Sequence, residues 1–100
     1  MDYIEELRGV IRKVHGVESK HLRSVPVVER FHGKTVWKGE VEVFRLTGHP
    51  VANRAYAWAF DSPKRHYVAV LRIAPVTSPK LAVRAAIVQE FRNRGTAKES

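Results

Sequence analysis

The chain has no cysteine among its 100 residues. That excludes a disulfide framework, a thiolate metal site and a thiol nucleophile. No apolar run approaches the ~20 residues of a membrane-spanning helix. The opening stretch Met1-Asp2-Tyr3-Ile4-Glu5-Glu6 is acidic, has no basic n-region or apolar h-region, and reads as no signal peptide. A cytoplasmic protein without membrane contact is the expectation. No phosphate-binding glycine loop occurs, Gly48 and Gly95 serving as punctuation. The five histidines, His15, His21, His32, His49 and His66, are not at metal spacing. No metal and no cofactor is therefore expected.

Acidic residues are also scarce. Eighteen Lys and Arg against ten Asp and Glu leave a net charge of +8. Such an excess favours acidic partners, nucleic acid first. It is regional: residues 1–20 are balanced, whereas 45–84 carry Arg45, Arg54, Lys64, Arg65, Arg72, Lys80 and Arg84 against Asp61 alone. No run of five basic residues appears, so a solvated surface that keeps a small protein soluble is the competing reading. A hydrophobic fraction of 44% suits one globular domain, residues 1–95, with 96–100 as a frayed tail.

What stands out instead is Ala55-Tyr56-Ala57-Trp58-Ala59-Phe60. Side chains alternate across a strand, so one face is aromatic and the other a thin alanine floor. The aromatic face is either a core wall or a platform for something flat. Around it, Asp2 and Glu5 form a capping signal, and Tyr3, Ile4, Leu7, Val10, Ile11 and Val14 share one face of a helix over 3–15, closed by Gly16. Residues 17–24 are polar and read as a loop. Strands are expected over Val25–Phe31, with Pro26 at an edge, and over Thr35–Leu46. A three-residue loop with Gly33 in the left-handed position sets Val27 opposite Trp37 and puts Val25, Val27 and Phe31 on the apolar face. Phe44 and Leu46 depart from the phase of Trp37, Val41 and Val43, which predicts a bulge near Val43. Further strands are expected over Arg54–Asp61 and about His66–Ile73, joined by a basic turn, Ser62 to Arg65. Ser78-Pro79 opens a second helix to about 94.

The expected fold is α+β: an N-terminal helix, a four-stranded antiparallel meander and a C-terminal helix in a two-layer sandwich. With both helices on one sheet face, strands three and four would leave an apolar face over, which suggests a homodimer through the sheet.

Three functions fit these residues. The first is a binding module, not an enzyme, taking a small molecule or protein on an apolar sheet surface through Tyr56, Trp58, Phe60 and Tyr67, with Arg72 and Arg84 for an anionic group. Arg84 interrupts the apolar stripe of Leu81, Val83, Ile87, Val88 and Phe91, and Glu40, Glu42 and Asp61 are its candidate carboxylates. The second is nucleic-acid binding through Arg45, Arg54, Lys64, Arg65 and Lys80. The third is a small basic nuclease or toxin using His49 or His66 near Asp61 or Glu42.

Two resemblances accompany these readings. The order of elements is similar in topology to the double-stranded-RNA-binding domain. That family has a Gly-Pro-x-His type loop and a lysine-rich last helix. Here Thr47-Gly48-His49-Pro50 occupies a similar loop in a different residue order, Lys80 and Arg84 open the last helix, and Val25–Phe31 adds a strand. The resemblance implies RNA contact across a minor groove. The segments Gly33-Lys34-Thr35-Val36-Trp37, Leu46-Thr47-Gly48-His49-Pro50, Arg54-Ala55-Tyr56-Ala57-Trp58 and Val83-Arg84-Ala85-Ala86-Ile87 look like those of short uncharacterised bacterial proteins on mobile elements, integron gene cassettes included. That likeness implies a fold and a mobile-gene setting, and carries no activity.

Overall fold

The computed structural model describes the backbone of residues 2–61 and 63–99, and the side chains of that span through Glu90. Its elements are α1 (Tyr3–His15), β1 (Glu18–Phe31), β2 (Lys34–Thr47), β3 (Arg54–Asp61), β4 (Arg65–Leu71) and α2 (Pro79–Glu99). The strands form one antiparallel sheet in chain order, so helix, meander and helix follow one another as the sequence predicts. The second helix does not stop at Gly95 but runs on to Glu99. Ser62, in the expected basic turn, lies outside the described residues.

The first helix is bounded by its caps. Asp2 Oδ1 accepts the Glu5 N–H at 2.8 Å, and the Asp2 carbonyl accepts the Glu6 N–H at 3.0 Å. Gly16 takes the left-handed conformation (φ 71°), and its N–H donates to the Arg12 carbonyl at 2.9 Å. The Arg12 guanidinium then forks onto Glu18, with Nε–Oε2 2.6 Å and Nη2–Oε1 2.8 Å, and Arg8 Nε donates to the Ser19 carbonyl at 2.9 Å. These contacts start β1 at once. Residues 18–24 are therefore strand, not loop, and Glu18 pairs with Thr47. Their polarity belongs to an edge strand whose outward side chains meet water.

The layering differs from the expectation of two layers. Leu7 and Ile11 of α1 pack on the alanine face of β3, with Phe44, Leu46, Ala55 and Ala57. Ala82 and Val83 of α2 pack on the opposite face, with Val27, Val41, Val43, Tyr56 and Trp58. The protein is thus helix, sheet, helix. β3 and β4 are apolar on both sides because each side is buried by a different helix. Sizes are complementary in both layers: large Leu and Ile of α1 meet alanines, and alanines of α2 meet aromatic rings. The apolar face that suggested a homodimer is covered within one chain. Phe44 and Leu46 keep the regular alternation of β2; they face α1 while Val41 and Val43 face α2. A register shift does occur beside them, but it places Leu22 of β1 as the extra residue, between the pairs His21–Phe44 and Arg23–Val43.

β2 pairs with β3 only from Glu42 to Arg45. Its earlier half pairs with β1 alone, as a two-stranded ribbon. His32 (φ 52°) and Gly33 (φ 75°) make a two-residue loop with Phe31 opposite Lys34, as in type I′ hairpins. Because the loop is shorter than expected and Val36 is bulged, Val27 lies opposite Gly39, and Glu29 lies opposite Trp37. The shift is by two residues, so Val25 and Val27 keep their face. Phe31 is not part of the buried apolar face: it is 65% exposed beside the turn. The ribbon bends its apolar face towards α2, and Trp37 meets Trp58 edge to face at 5.7 Å and 68°.

Candidate nucleic-acid interface

Strand register aligns four basic residues. Lys20 of β1 lies opposite Arg45 of β2, and Arg45 lies opposite Arg54 of β3. Next to Arg54, the Arg72 N–H donates to the Arg54 carbonyl at 2.9 Å, continuing the pairing one step past the Ala55–Leu71 pair. Residues directly opposite share a face. Alternation from Val43, Tyr56 and Val70 puts this row on the α2 side, at the end of the sheet from which the chain leaves towards α2. Three inter-strand spacings make it about 14 Å wide. Lys20, Arg45 and Arg72 are exposed and Arg54 is half-buried. Among the described residues none of the four forms an ion pair. The one side-chain hydrogen bond in the row is from Arg54 Nη1 to the Asn53 carbonyl, at 3.1 Å. Lys80 lies exposed in the first turn of α2, a turn without an acidic residue.

Like charges directly opposite on adjacent strands are destabilising. A row spanning the whole sheet without an ion pair among the described residues is therefore a locally unfavourable arrangement. Of the basic residues singled out in the sequence, Arg45, Arg54 and Arg72 fall in the row, the last assigned there to an anionic ligand, and Lys80 lies in the helix that follows it. Arg65 does not join them. It lies at the far end of β3–β4, over the rings of Tyr3 and Tyr67 (5.5 and 5.8 Å) and near Glu6 (3.8 Å) and Asp61 (3.7 Å). Lys64 adjoins it in the turn. Lys20 was hidden in the sequence by the local charge balance of residues 1–20, and only its register reveals it.

The aromatic set is dispersed. Tyr56 and Trp58 are 4% and 2% exposed beneath α2, so they are core wall and not an open aromatic platform on the protein surface. Phe60 is partly exposed at the strand end and stacks on His66 at 5.1 Å. Tyr67 points to the α1 side, where its hydroxyl donates to Glu6 Oε1 at 3.0 Å. Arg84 is not paired with Glu40, Glu42 or Asp61; its partner is Glu29, through Nε at 3.1 Å and Nη2 at 3.0 Å. Glu40 and Glu42 face away from α2 on the other side of β2, and Asp61 lies near Arg65.

The two candidate histidines, His49 and His66, lie in different parts of the fold. His49 Nδ1 accepts the N–H groups of Val51 (3.1 Å) and Ala52 (3.0 Å), which holds the β2–β3 loop. His66 lies opposite Phe60, six residues along β3 from Arg54, or about 20 Å. The close histidine–carboxylate contact is one the sequence did not suggest. Buried Glu42 takes hydrogen bonds on Oε1 from His21 Nε2, at 2.8 Å, and from the Ser24 hydroxyl. Reading residues 17–24 as a loop concealed it, since it depends on Ser24 standing opposite Glu42. Both donors converge on one carboxylate oxygen, which satisfies a buried charge; the serine is not activated by the histidine. Among the described residues no cluster of His, Asp or Glu could hold a metal ion, and no helix is long and apolar enough to cross a membrane. Compared with known proteins, the chain matches no family model, no curated protein and no solved structure.

Proposed function

We propose that the protein is a nucleic-acid-binding module that grips the phosphate backbone, without reading sequence, through Lys20, Arg45, Arg54 and Arg72, with Lys80 adjoining. The observation that carries this reading is the unpaired cationic row across all four strands. Its width of about 14 Å covers roughly four steps of the ~3.4 Å axial rise between phosphates of one strand of a duplex. Net charge +8 adds long-range attraction. Tyr56 and Trp58 lie beneath α2, which favours backbone contact over base stacking on that strip.

Affinity for a 20-base-pair duplex, measured by fluorescence anisotropy from 50 to 300 mM salt, tests it. Four phosphate contacts give a slope of log K against log salt of about −3.6. Each charge removed, as in Arg45→Gln or Arg72→Gln, reduces the slope by about one and weakens binding alike for unrelated sequences. Arg65→Gln, whose side chain is engaged within the chain, leaves the slope unchanged. A salt-independent affinity, or equal loss with Arg65→Gln and Arg45→Gln, refutes the row as the contact.

A further inference from the structure

At the edge of the α2-side core lies a cavity of about 280 Å³ between α2 and the sheet. Trp37, Trp58, Phe60, Val68, Ala86 and Ile87 form its wall. It adjoins an open depression over Phe60, Val68 and Ala86, which gives it a mouth beside the partly exposed Phe60. The ribbon is shaped to leave this space. A Cβ on Gly39 would lie 3.1 Å from Trp37 Cη2, so a side chain there would make the Trp37 ring give by a few tenths of an ångström. The two indoles meet edge to face, and a third planar ring can extend that arrangement.

The geometry points to a binding site for a small, flat, uncharged aromatic compound of one or two fused rings. Size sets the upper limit: an apolar cavity of about 150 Å³ takes benzene, and this one is nearly twice that. Among the described residues the wall carries no Lys, Arg or His, so an anion entering it would lose hydration without gaining a donor from them. The one ionisable lining residue, Glu90, is already engaged within the chain, which disfavours a cationic ligand. This site is separate from the cationic row and does not depend on nucleic-acid binding.

Indole is the probe. The chain has two tryptophans, so a ¹⁵N-labelled sample shows two indole N–H signals. Titration with unlabelled indole is expected to shift both saturably, with intermolecular NOEs to the methyl groups of Val68 and Ala86. Ala86→Leu, which fills the cavity, is expected to abolish the shifts while the amide spectrum stays dispersed. Gly39→Ala, which crowds the Trp37 ring, is expected to change them. Shifts that never saturate, NOEs confined to other residues, or binding retained in folded Ala86→Leu overturn the site. If Ala86→Leu fails to fold, the wild-type NOEs decide. Tighter binding of benzylammonium or benzoate than of indole overturns the uncharged assignment.

Discussion

Arg84 of α2 and Glu29 of β1, 55 residues apart, meet through one carboxylate oxygen, Nε donating at 3.1 Å and Nη2 lying at 3.0 Å. The other oxygen, Oε2, is buried without a partner, and the Glu29 side chain is only 9% exposed. The arginine, half in solvent, is therefore what makes burying that carboxylate tolerable. It also fixes how the β1–β2 ribbon folds over α2.

Removing Arg84 alone should destabilise more than removing both partners. Arg84→Met leaves a buried carboxylate unmatched, at about 1–3 kcal/mol. Replacing Glu29 by Leu as well removes the charge that needs a partner and recovers most of that loss. Urea unfolding of the single and double variants measures this. A double variant no more stable than Arg84→Met would show that the pair is not the source of the loss.

The cationic row makes a prediction about stability opposite to its prediction about binding. Arg45 has like charges on both sides, Lys20 and Arg54. Arg45→Glu turns two repulsive neighbours into attractive ones, each cross-strand pair counting for roughly 0.2–1 kcal/mol. Melting temperature should rise at low salt, and the gain should shrink at 1 M salt, where the screening length falls to about 3 Å. The same variant loses nucleic-acid affinity. A melting temperature that falls at low salt contradicts the repulsion.

Local signals carried much of the fold. The Asp2 and Gly16 caps, the Ser78-Pro79 start and the alternation of Ala55–Phe60 are all legible in sequence, because each depends on a few neighbouring residues. The layer count was not. Alternating alanines and aromatics read equally as one buried face or two, and only the pairing of large α1 residues with alanines, and of α2 alanines with rings, decides between them. The row was partly legible: Arg45, Arg54 and Arg72 stood out by charge, whereas Lys20 and the alignment of all four depend on register. Register in turn hung on the bulges at Leu22 and Val36 and on an edge strand whose polarity resembled a loop.

Tyr3 carries an alkaline signature. The β2–β3 ladder ends at the Glu42–Ala57 pair, and two residues on the Ala59 N–H donates to the Tyr3 hydroxyl at 2.8 Å. Burial raises the phenol above its ordinary 10.0; the Ala59 hydrogen bond opposes this, and the charge of Glu42 adds to it. The folded state thus holds the phenol proton more tightly than the unfolded chain. The stability this provides is intact below pH 10.0 and falls as pH rises through the folded-state value. In a 295 nm titration of the three tyrosines, the component lost in Tyr3→Phe should titrate above 10.0. Unfolding free energy should fall more steeply above that pH in the wild type than in Tyr3→Phe. A lost component at or below 10.0 would contradict burial of the hydroxyl.

The thin alanine floor sets how closely α1 approaches the sheet, and the three-layer arrangement can be tested there. Ala57 is fully buried against Leu7 and Ile11. Ala57→Leu overpacks that layer, at about 1–3 kcal/mol. Ile11→Ala opens a cavity in the same layer, at about 2–5 kcal/mol. Combined, the added side chain occupies the vacated space, so the double variant should lose clearly less than the sum. Trp58→Ala on the opposite face costs about 3–5 kcal/mol and should add to Ile11→Ala with little coupling, since their cores share no side chain. Urea unfolding of the five variants gives both couplings. Strong coupling of Ile11 with Trp58, and none with Ala57, is the pattern that two helices on one face would produce.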